Sequence, residues 1–144
     1  MEKIQDKLIE QFQAMDRVYE EYAKSKGMTY LSLMVLQDIY QLGDGCIQKQ
    51  ISEDTHYPKQ SINLVIKSFL QDGLVELREL PENRKNKQIF LTEKGRQYCE
   101  EVIVPLMQRE EQAITQMGEE QSRELVRLIE VYGRAYCELI AGLS

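Results

Sequence analysis

Between Thr55 and Gln71 the chain carries Lys59 and Lys67, the amides Gln60 and Asn63, the hydroxyl of Ser61, and no Asp or Glu. These groups suit a flat partner with many acceptors. An amide side chain meets the N6 and N7 edge of adenine with two bonds, lysine meets guanine acceptors or phosphate, and serine donates to phosphate. A second window, Asn83 to Thr92, holds Arg84, Lys85 and Lys87, again without an acid. Clustered cations of this kind fit a narrow groove, where negative potential is enhanced. The chemistry on offer is recognition of a polyanion with readable edges. Bond-making chemistry has little to stand on: there is no glycine-rich phosphate loop and no nucleophile motif, and the one histidine, His56, lies between helical segments, where a solvated or capping role is expected. The expectation is a protein that is not an enzyme. Cys46, Cys99 and Cys137 form no CxxC pair, and with one histidine they argue against a structural zinc site, so neither metal nor cofactor is expected.

The net charge of −6 over 144 residues runs against a nucleic-acid partner, because counterion release requires clustered Lys and Arg. Its distribution removes the objection. Residues 1 to 45 carry five basic and eight acidic side chains, residues 46 to 92 seven and six, and residues 93 to 144 six and ten, so the acid collects at both ends. The two acid-free windows stand out in an acidic chain. With 42% hydrophobic and 29% charged residues the chain reads as one globular unit with a core of its own. No apolar run approaches the roughly 18 to 20 residues of a bilayer span, and the N-terminal MEKIQDKLIEQFQ lacks the basic and apolar regions of a secretory signal. A cytoplasmic location with reduced thiols is expected.

The elements that must position these residues follow from periodicity. Ile4, Leu8, Phe12, Met15, Tyr19 and Tyr22 recur at helical spacing and predict a helix from Glu2 to about Lys24. Leu125, Leu128, Ile129, Tyr132, Tyr136, Leu139 and Leu143 do the same after Gly118. A regular stripe at each end suits either core packing or an intersubunit seam. Thr29 is placed to cap a helix Tyr30 to Leu42, with Leu31, Met34, Val35 and Ile39 inward and Gly43 and Gly45 ending it. A short helix from about Gln48 to Asp54, a turn at Thr55, His56 and Tyr57, and a helix Pro58 to Gln71 come next. In the last, Ile62, Val65, Ile66, Phe69 and Leu70 face inward, leaving Lys59, Gln60, Ser61, Asn63 and Lys67 outward. After Asp72-Gly73, LVELREL and KQIFLT alternate at period two around PENRKN, a hairpin with a basic tip. Thr92 caps a further helix towards Met117 that Pro105 bends or splits. The fold class is mainly α with a small β-hairpin wing, in the order of a winged helix-turn-helix whose second motif helix enters the major groove.

Three stretches together resemble the MarR family of bacterial regulators over nearly the whole chain: QKQISEDTHYPKQSINLVIKSFLQDGLVE between Ile47 and Leu77, NRKNKQIFLTEKG, and VIVPLMQREEQA. The middle one is similar to the family's Asp-x-Arg followed, seven residues after the Arg, by the Thr of a Leu-Thr pair. Counting back from Thr92 puts the Asp on Asn83 and the Arg on Lys85. Reading Glu82-Asn83-Arg84 instead needs one extra wing residue, and both alignments stay open. Pro58 stands where the family often has Ser or Thr, so the recognition helix begins without a side-chain cap.

The resemblance implies a single domain. Residues 1–28 and 118–144 would form dimerisation helices, 29–92 a DNA-binding part, and 93–117 a connecting helix bent at Pro105. It implies a homodimer on a pseudo-palindromic double-stranded operator, contacted by Pro58, Lys59, Gln60, Ser61, Asn63 and Lys67 of the recognition helix and by Asn83, Arg84, Lys85 and Lys87 of the wing. Members commonly repress transcription and release DNA when a small aromatic or anionic effector binds; Tyr19, Tyr22, Tyr30 and Met34 are the candidate cleft. Others respond through cysteine oxidation, for which Cys46 is the candidate here, with only Lys49 near it in sequence to lower its pKa. A winged helix used solely for protein contact is the remaining alternative.

Overall fold

The computed structural model describes residues 3–144 and forms six helices and three strands. Two compact units emerge, Met1–Val104 and Pro105–Ser144. In the first, α1 (Ile4–Ser25) is followed by α2 (Tyr30–Leu42), β1 (Cys46–Ile47), α3 (Gln48–Thr55), α4 (Lys59–Gln71), β2 (Val75–Leu80) and β3 (Asn83–Leu91). The expected α1 start at Glu2 lies outside the described residues. α5 (Glu93–Met117) begins in the first unit, and α6 (Glu119–Ala141) belongs to the second.

Local chemistry sets the element ends. Thr29 Oγ1 accepts from the Ser32 amide at 3.0 Å and starts α2; Gly43, at a φ of +88°, ends it. Thr92 caps α5 through the Gly95 amide at 3.0 Å while its hydroxyl donates to the Gly73 carbonyl, tying the end of the sheet to the loop after α4. Gly95 itself is required by packing, since a Cβ there would lie 1.9 Å from the Leu74 carbonyl oxygen.

The core joins Leu33 and Leu36 of α2, Ile51 of α3, Ile62 and Ile66 of α4 and Ile89 of β3, all fully buried. In α2 the inward set is Leu33, Val35, Leu36 and Ile39, whereas Leu31 and Met34 are only half-buried. The apolar positions assigned to α4 hold for Ile62, Val65, Ile66 and Phe69, but Leu70 is exposed.

Three features depart from or narrow the sequence expectation. The sheet has a third strand, in the order β1-β3-β2, because Cys46 and Ile47 pair with Ile89 and Gln88. The hairpin turn is Pro81 and Glu82, so its tip is not basic; Asn83 onward already belongs to β3. Of the two outcomes expected at Pro105, a bend or a split, the split is absent: α5 runs unbroken from Glu93 to Met117, and the boundary between the two compact units falls at that proline. In the second unit, Gly118 at a φ of +91° precedes α6, and the Ser122 hydroxyl donates to the Ile114 carbonyl at 3.2 Å across the turn.

Among the described residues, no helix is long and apolar enough to cross a membrane.

Candidate nucleic-acid interface

α3 and α4 are joined by a turn that short-range hydrogen bonds shape. α3 ends at His56, whose φ of +61° is left-handed and whose amide bonds the Ser52 carbonyl at 2.9 Å. The Ser52 hydroxyl then donates to the Tyr57 carbonyl at 2.6 Å, fixing the turn into Pro58. Pro58, extended at ψ 152°, is the residue before α4 and offers no side-chain cap. The first amides of α4 therefore keep no side-chain acceptor at the positive end of the helix dipole, where phosphate is favoured.

Burial divides α4 cleanly. Ile62, Val65, Ile66 and Phe69 face the core, Ser61 and Asn63 are half-buried at its border, and Lys59, Gln60, Lys67 and Ser68 are exposed. Leu64 is 67% exposed and shares the outward face, a position that sequence reasoning did not single out. The signal was present: Leu64 lies four residues after Gln60 and three before Lys67, which at 100° per residue puts it on their side of the helix.

The wing gains its shape from an irregular register. Val75 to Arg78 pair in step with Leu91 to Gln88, but the next pair is Leu80 with Asn83. One residue of β2, Glu79, thus stands opposite four of β3, Arg84 to Lys87, and the surplus forms a bulge. The Asn83 side chain accepts from the Lys85 amide at 3.1 Å and so shapes this bulge. Arg78 is withdrawn from the basic set: it stacks 3.9 Å over the Phe90 ring and pairs with Glu76.

The two acid-free windows meet in space. Asn63 and Lys67 of α4 and Lys85 and Lys87 of β3 line one groove of about 350 Å³, with Gln48 and Asn86 also on its walls. Gln48 and Asn86 were not anticipated from the sequence. Arg84 is exposed but does not line this groove. The wing is anchored behind it by Asp44, which accepts from the Leu91 amide at 3.2 Å and forms an ion pair with Arg96.

The four residues expected to line an effector cleft are occupied with α1–α2 and α1–α5 packing. Tyr19 and Tyr30 meet edge to face with centroids 4.9 Å apart; Tyr19 donates to Gln37 at 2.9 Å and Tyr30 to Asp16 at 3.0 Å. Burial, with the Asp16 hydrogen bond and charge behind it, pushes the Tyr30 hydroxyl up to about 12. Tyr22 donates to the Val102 carbonyl of α5 at 2.6 Å, and Met34 is half-buried on α2. A separate cavity of about 450 Å³ has other walls, among them Lys26, Thr29, Ser32, Lys94 and Tyr98. None of the four lines it.

Cys46 is buried, and burial followed by the nearby Asp38 charge pushes its thiol up to about 11; burial does the same to Cys99. Cys137 is exposed on α6. Among the described residues, no group of three or more His, Cys, Asp or Glu side chains is placed to hold a metal ion.

No protein-family model matches the chain, and no curated protein does. Solved structures do. A MarR family regulator from Neisseria meningitidis superposes with a TM-score of 0.83 at 20% identity, over 99% of this chain and 100% of that one. BpsR of Bordetella bronchiseptica, whose DNA binding is regulated by 6-hydroxynicotinic acid, gives 0.70 at 17% identity over 92% and 94%. A MepR mutant from Staphylococcus aureus, bound to an oligodeoxyribonucleotide, gives 0.58 at 14% identity over 99% and 100%. The chain has the winged-helix fold of MarR family regulators.

Proposed function

We propose that the chain is a sequence-specific DNA-binding transcriptional regulator, not an enzyme, and that residues 29–92 form its DNA-binding part. The observation that carries this reading is the groove in which Asn63 and Lys67 of α4 face Lys85 and Lys87 of β3. A helix with short hydrogen-bonding side chains beside a cationic strand fits a major groove with its flanking phosphates. Pro58, Lys59, Gln60, Ser61, Asn63 and Lys67 would serve the recognition helix. Lys85 and Lys87 would hold backbone phosphate, which leaves Arg84 as the candidate for the minor groove, and Asn83 would shape the wing. The likeness to a fold seen on DNA in the MepR structure supports the docking.

The dimerisation role proposed for residues 1–28 and 118–144 rests on exposure. α6 leaves Leu128, Ile129, Tyr132, Tyr136 and Leu139 uncovered, and α1 leaves Met15 and Val18 so. A second copy would cover these stripes and place two recognition helices on a pseudo-palindrome, with 93–117 as the connecting helix. Repression would follow from occupying a promoter. Release would require a small effector that binds the DNA-free arrangement more tightly than the bound one. A MarR protein of Staphylococcus aureus with salicylate and kanamycin bound, and BpsR with its nicotinic acid derivative, support an aromatic or anionic effector. The cavity of about 450 Å³ beside Lys26 and Lys94 is a better candidate for it than the Tyr19, Tyr22, Tyr30 and Met34 cluster, whose hydroxyls already have partners. Redox control through Cys46 has the weaker support, because a buried protonated thiol is a poor nucleophile. A cytoplasmic site of action belongs to the same proposal.

The test is a titration of labelled DNA from the region upstream of the chain's own gene, against a scrambled duplex, across a salt series. Selective binding with a steep salt slope is expected. Equal, feeble binding to both duplexes would remove the operator from this region, and with a random duplex library equally unselected the protein-contact reading takes over.

A further inference from the structure

Leu64 stands among groups unlike itself. α4 sends Ile62, Val65, Ile66 and Phe69 into the core, and the opposite side is Gln60, Leu64, Lys67 and Gln71. Single exposed leucines are common and need no explanation of their own. Position sets this one apart. Leu64 lies midway along the outward face of a helix without a single acid, one turn beyond Gln60 and next to Asn63, the two side chains able to pair with adenine.

A protein partner would need an apolar patch, and Leu64 has none around it: Gln60, Lys67, Ser68 and Gln71 are its neighbours on the helix surface. The positive face points to a polyanion. On the base edges of the major groove one apolar group is on offer, the C5 methyl of thymine, and it stands beside the adenine edge in every A·T pair. An isobutyl side chain between amide and ammonium groups meets that surface: the amide takes the adenine edge and the leucine covers the methyl.

We infer that Leu64 reads a thymine methyl in the DNA half-site. The inference rests on the DNA-binding reading of α4. It adds an apolar readout to the polar one and marks the recognised step as A·T.

The experiment uses the full chain and its Leu64→Ala variant. Wild type first selects duplexes from a randomised library at fixed salt. Each thymine of the selected half-site is then replaced by deoxyuridine, which lacks only the methyl. Wild-type binding is expected to fall about four-fold at one thymine, the worth of one buried methyl-sized group. Leu64→Ala should bind the thymine duplex more weakly by a similar factor and lose the distinction between thymine and deoxyuridine there, so that the two changes do not add. An exposed leucine replaced by the best helix former leaves the fold intact, which an unchanged thermal melt checks. Uniform indifference of wild type to deoxyuridine overturns the inference while leaving DNA binding standing, as does a variant that keeps the full thymine preference. Failure of wild type to select any duplex overturns both.

Discussion

Asp38 of α2 lies close enough to Asp54 of α3 for the two carboxyls to act on each other, and Asp38 Oδ2 is buried without a hydrogen-bond partner. Two ionised carboxylates in that position would repel, and neither would have a proton to donate. One retained proton resolves both problems by turning the orphaned oxygen into a donor across the α2–α3 contact. Burial first, then the Asp54 hydrogen bond and charge, push the Asp38 carboxyl up to about 7.

The pH dependence follows. The folded chain holds a proton that an unfolded Asp38, near its ordinary 3.8, releases. Stability is therefore greatest in acid, falls as pH rises from about 4 to about 7, and is flat in this respect above that. Asp38→Asn supplies a donor towards Asp54 without the titration. Thermal melts at pH 5, 6, 7 and 8 should show a smaller decline for the variant than for wild type, with the variant the more stable at pH 8. Parallel curves would show that the pair does not titrate in this range.

Salt dependence reports how many phosphates the protein neutralises. Lys67→Ala and Lys85→Ala should each reduce the slope of log affinity against log salt by about one for every phosphate that the missing ammonium leaves to its counterions. Asn63→Ala should leave the slope alone and relax base preference at one position, by about 1 to 3 kcal/mol. Unchanged slopes in both lysine variants would mean that DNA does not enter the groove between α4 and β3.

Gly95→Ala should destabilise the first unit. The added Cβ would meet the Leu74 carbonyl at 1.9 Å, and backbone, not a flexible side chain, must yield. A cost of about 2 to 3 kcal/mol is expected, lowering the melting temperature by about 5 to 10 °C. A melt within about 2 °C of wild type would show that α5 and Leu74 can separate freely.

Thiol labelling should separate the cysteines. With thiols pushed up to about 11, Cys46 and Cys99 hold only about one thiolate in a thousand at pH 8, and both are buried. Mass spectrometry after brief treatment of native protein should find both unmodified, and both modified once the chain is unfolded. Rapid native labelling of Cys46 would restore redox control as a reading.

Sedimentation tests the α6 stripe. Leu128→Glu and Leu139→Glu place charge on a face that is exposed in the single chain, so a monomer should tolerate them. A dimer sealed by that face should dissociate to half its mass. A wild-type chain that sediments as a monomer would remove α6 as the seam.

Much of this architecture was legible because it is written in local chemistry. Thr29, Gly43 and Thr92 announce helix ends through their own caps, and the α4 boundaries follow from Pro58 and Asp72-Gly73. β1 was not legible: two residues have no periodicity, and Cys46 and Ile47 become a strand only because Ile89 and Gln88 lie beside them. Pro105 left a bend and a split open in the sequence, and the split does not occur because the loss of one donor is a cost that a 25-residue helix absorbs without breaking. The two basic windows could be found from charge alone. Their meeting could not, since it depends on where β3 stores its surplus residues. Leu64 was passed over for a different reason: it falls outside the inward set Ile62, Val65, Ile66, Phe69 and Leu70, and the outward face was read for its polar groups alone.

The bulge in β3 separates two kinds of variation. Below it, Val75 to Arg78 and Leu91 to Gln88 stay in register and keep Ile89 in the core. Above it, chain length is absorbed locally, so a residue gained or lost between Asn83 and Lys87 need not slide the rest of the sheet, a slip that would turn every side chain to the wrong face. A change in the length of the wing can therefore be confined to the wing, while the paired register beneath it and the burial of Ile89 are kept.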